Sequence, residues 1–339
     1  MGKYLYLNFI FVGALFSFVV NRSQAESTVA TDSTVTAKSM ESLAEPSSSI
    51  PVYPEWQEVP KPGEFYMVMV KNTNKLIVKS LTVPDKVFKT YHAISGTNSG
   101  DKEREGDKKT PEGIYFIERR IPNSRLQSLH GAAAFELNYP NPVDKIIQRT
   151  GSGIWIHGVD NEDRLGRRFD TLGCIAVSNA DIVDIGEKLS MKNTPIVVVD
   201  EEKSDNPIGI ETMDGTIYKR VLDWAAAWSS REMEPYMIFY DSSFRSRGMN
   251  WNAWRSYKNG LAKTYKSISV TIQDLKILRH GKYSVAVFKQ EYESDRFASS
   301  SLKRLYLVGS GEEARIMAEE VAQETNQRLS SMQISVGSF

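Results

Sequence analysis

Cys174 is the chain's one cysteine. It stands in Thr171-Leu172-Gly173-Cys174-Ile175, with a glycine directly before it. His157 closes the apolar run Ile154-Trp155-Ile156-His157 and is followed by Gly158. A thiol and an imidazole placed in this way have the makings of a nucleophile and its base. A free thiol titrates near pH ~8.5 and is mostly protonated at neutral pH, so a neighbour must take its proton. The glycine before it lets the backbone bend until N–H groups point at a tetrahedral oxyanion. Losing one such donor typically costs about a hundred- to a thousandfold in rate. Trp155 alternates with His157 along the run, so both can share one face of a strand, and Trp155 is either a wall of the site or core. A single cysteine excludes an intramolecular disulfide and a multi-cysteine zinc site. His92, His130 and His280 have no local ligand spacing, so neither metal nor cofactor is expected.

Short strands must carry these residues. Phe65 to Val70 and Leu76 to Val78 flank Lys71-Asn72-Thr73-Asn74-Lys75, a turn of hairpin length. Val87 to Ile94, Ile114 to Ile117, Ile154 to Ile156 and Ile196 to Val199 are further strands, and Asn179 to Leu189 is the one clear helix. Together they describe a β-rich domain over 63–200. Glu201 to Pro207 is a polar linker. Beyond it Leu222, Trp224, Ala225 and Trp228 recur at helical spacing, and Trp251, Trp254 and Tyr257 repeat the pattern. Strands follow at Ile268 to Leu278, Tyr283 to Tyr292 and Leu302 to Val308, so 208–320 reads as an α+β domain. Trp251 and Trp254 form an apolar helix face, with Arg245, Arg247, Arg255 and Lys258 expected on the solvated side. The charged run Asp101 to Lys109 reads as a solvated loop that could border the cleft. The last residues, 321–339, form a polar tail, loose or helical.

Composition narrows the classes. A chain of 339 residues suggests two domains, and 41% hydrophobic with 25% charged residues is ordinary for a globular protein. Lys plus Arg and Asp plus Glu both number 42, so no global basic excess supports nucleic-acid binding. Lys3, the apolar run Phe9 to Val20 and the ending Ser23-Gln24-Ala25 form a secretory signal layout over 1–25. The expected mature protein is soluble and exported, without a stable membrane anchor. Residues 26–62 carry Glu26, Asp32, Glu41, Glu45, Glu55 and Glu58 against Lys38 and Lys61 and read as a flexible acidic segment. Its Ile50 to Trp56 portion offers a surface for pairing with a second copy, so a homodimer is an open expectation.

The His157 and Cys174 motifs, with Thr171 three places before the cysteine, resemble the signature of the L,D-transpeptidase (YkuD-type) catalytic domain. Gly106-Asp107-Lys108-Lys109-Thr110-Pro111-Glu112-Gly113 and Ala134-Phe135-Glu136-Leu137-Asn138-Tyr139-Pro140-Asn141 stand in that family's order. The resemblance implies a β-sandwich-like catalytic domain acting on peptidoglycan stem peptides. Cys174 would be the nucleophile and His157 the base, with the Gly158 carbonyl orienting the imidazole. The N–H groups of Gly173 and Cys174 would form part of the oxyanion hole. Trp155 and Thr171 would sit by the substrate. Transpeptidases commonly carry an Arg where this chain has Ala176, which leaves Arg149, Arg164, Arg167 or Arg168 to hold a substrate carboxylate.

Residues 208–320 look NTF2-like. The combination is similar to the L,D-carboxypeptidases that set helical cell shape in curved Gram-negative bacteria, which implies a periplasmic location. The implied reaction is therefore release of terminal D-alanine through a Cys174 thioester, trimming tetrapeptide to tripeptide. The alternatives are a 3–3 cross-linking transpeptidase, thioester chemistry on a wall-bound protein, and a non-catalytic wall-binding scaffold.

Overall fold

The structure is a computed structural model and describes residues 50–327 apart from 52, 203–207, 212, 214 and 282. The signal layout, most of the acidic segment and most of the linker lie outside the described residues. Among the described residues no helix is long and apolar enough to cross a membrane.

The first domain runs β1 (Phe65–Val70), β2 (Lys75–Ser80), β3 (Val87–His92), β4 (Ser95–Gly96), β5 (Gly113–Arg120), β6 (Ala134–Leu137), α1 (Pro142–Ile146), β7 (Trp155–His157), β8 (Phe169–Thr171), β9 (Ile175–Ala176), α2 (Asn179–Lys188) and β10 (Pro195–Val199). Its sheet has the order β3-β2-β1-β10-β5-β6-β7-β9. The Lys71–Thr73 turn works because Asn74 takes the left-handed conformation (φ 55°), which asparagine tolerates better than most residues. Ser178 caps α2 by accepting from the Asp181 amide at 3.0 Å, a cap typically worth about 1 kcal/mol.

The second domain runs β11 (Gly209–Glu211), α3 (Thr216–Ser230), α4 (Met233–Met237), β12 (Arg245–Ser246), β13 (Met249–Asn250), α5 (Trp251–Thr264), β14 (Ile268–His280), β15 (Tyr283–Ser294), β16 (Ala298–Val308) and β17 (Arg315–Gln327). A five-stranded sheet, β11-β14-β15-β16-β17, packs one face on the helices, with Trp224, Trp228, Tyr236, Phe244 and Trp254 in that core.

Strands β1 and β10 are buried at every position. The cause lies in the packing of two sheets. Met67, Met69, Ile196 and Val198 face the first domain's own core, with Tyr115 and Ile156. Tyr66, Val68, Val197 and Val199 face the other way, against Leu278, Val285, Val287, Tyr306 and Ala318 of the second domain. The second domain thus supplies a layer over the first domain's sheet, and two buried faces require the near-continuous apolar runs seen in β1 and β10. Arg304, fully buried, crosses this junction. It donates to Glu118 at 3.2 Å and Glu320 at 2.9 Å, and stacks 3.7 Å from the Phe116 ring.

Three expectations need correction. Val321–Gln327 is not tail but the end of β17, held by antiparallel pairing with β16. Lys258 does not lie on a solvated face. It is buried over the rings of Trp228 (4.0 Å) and Trp254 (5.0 Å), where the ammonium is held by aromatic faces. The acidic segment is docked at its end, since Trp56 packs on the first domain's core and donates to Asp184 at 2.8 Å.

Candidate active site

Strand pairing brings the two motifs together. β7 and β9 run parallel with Ile156 opposite Ile175 and His157 opposite Ala176. The residue before β9, Cys174, therefore falls at the level of Trp155. Cys174 and His157 line one cavity of about 310 Å³, together with Lys102, Glu105, Leu129, His130, Arg164 and the glycine-rich turn 151–153.

His157 is almost wholly buried. Its Nδ1 lies 2.5 Å from the Gly158 carbonyl oxygen, so Nδ1–H donates there and Nε2 is left unprotonated. Burial pulls the imidazole down to about 4, against a smaller upward pull from that carbonyl. The ring is therefore neutral at neutral pH. Cys174 is partly exposed, and its thiol donates to the Gly153 carbonyl at 3.6 Å. Desolvation raises the thiol above its ordinary range, while the Trp155 amide and the charge of Lys102 pull it down. At neutral pH the cavity thus holds a neutral thiol and a neutral imidazole rather than an ion pair, with the thiol's hydrogen bond directed to Gly153.

The loop before Cys174 is braced from within. Thr171 Oγ1 accepts from the Gly173 amide at 3.1 Å and donates to the Cys174 carbonyl at 2.7 Å. Gly173 sits at φ 125°, and a Cβ there would lie 2.8 Å from the Lys109 carbonyl oxygen. Backbone angle and crowding both call for glycine. Gly158 is also fixed by crowding, because a Cβ would meet Asn179 Oδ1 at 2.3 Å. Asn179 joins the segment between β5 and β6, residues 121–133, which caps the cavity through Leu129 and His130, to the turn after the histidine strand, accepting from Ala132 N at 2.8 Å and donating to Val159 O at 2.7 Å.

The other expected site residues separate. Arg164 lines the cavity but is held by Asp160 (2.7 Å) and Asp170 (2.9 Å). Arg149 is drawn away to Asp101 (2.5 Å) and Asp144 (3.3 Å) and does not line it. Arg167 and Arg168 are exposed and do not line it either. Ala176 is fully buried in β9, bridged to Ile94, so it cannot meet substrate. Thr171 reaches the cavity, but its hydroxyl is spent on the loop. Of the two amides expected to face an oxyanion, that of Gly173 is already taken by Thr171.

Trp155 is half-buried, 4.8 Å ring to ring from His130, which stands edge-on to His157 at 5.0 Å. His130 Nδ1 and Trp155 Nε1 are both buried without a hydrogen-bond partner among the described residues. His130, Lys102 and Asn179 are parts of the site that motif reading missed. His130 and Asn179 carry no signal of their own in sequence, whereas Lys102 lay in the charged run suspected of bordering the cleft.

A profile of the L,D-transpeptidase catalytic domain matches residues 65–198, and one of the Cds6 C-terminal NTF2-like domain matches 216–320. The solved structure of Bdellovibrio bacteriovorus Bd1075 is similar over both domains, with 31% identity, 79% of this chain and 95% of that one covered, and a TM-score of 0.60. The chain belongs to the L,D-transpeptidase family. The helical cell shape determining protein Pgp2 of Campylobacter jejuni is also similar, at 25% identity, coverage of 80% and 94%, and TM-score 0.61. The L,D-transpeptidase-type protein YqjB of Bacillus subtilis (strain 168) is 26% identical over 165 residues, 47% of this chain and 86% of its own length. The expected fold class, a YkuD-type strand-rich domain followed by an NTF2-like domain, is the one observed.

Proposed function

We propose that this protein is an exported peptidoglycan L,D-carboxypeptidase that removes the terminal D-alanine of a tetrapeptide stem. The observation that carries the reading is the Nδ1 anchor of His157 on Gly158, which leaves Nε2 as base in the cavity that holds Cys174. His157 Nε2 takes the thiol proton as Sγ attacks the carbonyl carbon at the L-centre of the diamino acid. The oxyanion forms against the Cys174 amide. The C–N bond then breaks, the imidazolium gives its proton to the leaving amine, and D-alanine departs. A water, deprotonated by the same imidazole, attacks the thioester. The thiolate recovers its proton, and tripeptide leaves.

The C-terminal NTF2-like domain beside the L,D-transpeptidase-type domain favours hydrolysis over cross-linking. The likeness to a cell-shape determinant supports the same reading. The test is to incubate the full chain with disaccharide-tetrapeptide at high concentration, so that stem amines compete with water, and to read the products by mass spectrometry. Loss of one D-alanine without dimer is the expected result. A cross-linked dimer as main product would make the protein a transpeptidase.

A further inference from the structure

The segment Asp101 to Lys109 is far more ordered than its charge suggests. Asp107 accepts from the backbone amides of Glu103 (2.8 Å), Arg104 (3.0 Å) and Lys109 (3.2 Å), which folds the loop around one carboxylate. Lys102 closes the arrangement, donating to Asp107 at 2.6 Å and to the Arg104 carbonyl at 2.9 Å. Next to it, Asp101 accepts from the Glu112 amide and is gripped by Arg149. Lys71, on the neighbouring strand turn, ties down the Gly100 carbonyl at 2.8 Å. The loop is pinned at both ends and in the middle.

This framework holds Lys102 at the wall of the catalytic cavity, with its side chain only 4% exposed. Its stem lies where a side chain on Gly151 would touch Cε at 3.3 Å, so the glycine-rich turn leaves room for it. Two of its three ammonium donors are committed to Asp107 and Arg104, and the third, with the Tyr139 ring 5.9 Å from the nitrogen, has no hydrogen-bond partner among the described residues. Its positive charge already acts on the Cys174 thiol. The other cation lining the cavity, Arg164, is bound to two carboxylates. Of the acids there, Asp170 belongs to Arg164 and Glu105 stands at the exposed rim.

We infer that Lys102 is the specificity-determining cation of the cleft, receiving the free carboxylate of the residue that leaves. The assignment rests on the carboxypeptidase reading above. An enzyme that removes only a terminal residue must recognise the carboxylate one residue beyond the bond it cuts. In a partly dehydrated cavity that anion needs a fixed positive partner. A preorganised lysine, held by Asp107 and unable to swing into solvent, meets this need at little further cost in side-chain entropy.

The experiment compares two substrates, disaccharide-tetrapeptide with a free terminal carboxylate and the same molecule ending in D-alanine amide. Each is assayed with the wild-type chain, Lys102→Met and Lys102→Arg, and the readout is the ratio of kcat/KM for acid over amide. That ratio is independent of how much of a preparation is folded. The wild type is expected to prefer the acid by about ten- to a hundredfold, the range for a hydrogen bond to a charged group. In Lys102→Met the ratio should collapse to within about threefold of one, and Lys102→Arg should keep an intermediate preference. Turnover with equal wild-type rates on both substrates, or a preference that survives Lys102→Met, overturns the assignment alone. No release of terminal residue from either substrate by the wild type overturns the carboxypeptidase reading and the assignment together.

Discussion

Each domain buries a polar centre, and the two are built in opposite ways. In the catalytic domain His157 and Cys174 are held by backbone carbonyls and open on a cavity, while His130 and Trp155 beside them keep unpartnered nitrogens. In the second domain most of the polar groups hold each other, although Trp254 Nε1 is also buried without a partner among the described residues. Glu319 takes Lys303 at 2.5 Å and the Tyr240 hydroxyl, Trp224 Nε1 donates to Tyr240 at 2.9 Å, and Lys258 lies among aromatic rings. Burial tends to push the Glu319 carboxyl up, but the charges of Lys303 and Lys258 outweigh it and hold the group below its ordinary range. Burial brings Lys258 down to about 7. The first centre is open to a ligand, and the second is closed on itself. Substitutions in the first centre should therefore cost rate, and in the second stability.

The largest effect should come from the base. His157→Gln is expected to lower kcat/KM for D-alanine release by about a thousandfold, within the span of general base catalysis, with the urea midpoint at pH 7 little changed. A comparable loss of stability would break the contrast. Next, Glu319→Ala leaves Lys303 and Lys258 buried without their counter-charge and should cost about 3 kcal/mol in urea unfolding, as removal of one partner of a buried pair does. If it proves neutral, the second centre is not the cohesive one.

The third prediction concerns pH. Below about pH 6.5 the unfolded chain protonates His157, but the folded chain refuses that proton until about 4. The contribution is whole above pH 6.5 and declines as pH falls through this window, by about 2 kcal/mol at pH 4.5. Asp144 works in the other direction. Burial pushes it up to about 6, against its Asn141 and Arg149 partners, so the folded state takes its proton first. The comparison must therefore be with His157→Gln, which keeps the Asp144 contribution. Unfolding at pH 7 and 4.5 should show the wild type losing that amount relative to the variant, and equal losses would contradict the burial account. The smallest effect is Asn179→Ala, which unpairs Ala132 N and Val159 O. A cost of about 1–2 kcal/mol is expected, with a raised KM as the capping segment loosens, whereas an unchanged KM would separate that segment from substrate binding.

The same contrast explains what could be read from sequence. The candidate site is made by contiguous motifs on β7 and before β9, so residue types and spacing pointed to it. Strands β1, β2, β3, β5 and β10 and helices α2, α3 and α5 were legible because their apolar patterns are local. The centre of the second domain draws on Trp224, Tyr240, Lys258, Lys303 and Glu319, which only the tertiary fold assembles. Lys258 read as solvated because its aromatic cover comes from α3 and α4 as well as its own helix. Strand β17 went unseen because Glu319, Glu320 and Glu324 interrupt its apolar pattern. Ala176 read as a substrate position because a motif gives order along the chain, not the face of a strand.

The central claim is that the Cys174 thiol releases D-alanine. The direct measurement is D-alanine freed from disaccharide-tetrapeptide by the full chain and by Cys174→Ala, at equal concentration and with unfolding curves for both. The account predicts release by the wild type, a fall of about 10⁴-fold or more in the variant, and matching stability. Equal release by the two proteins, or none by either, would contradict it.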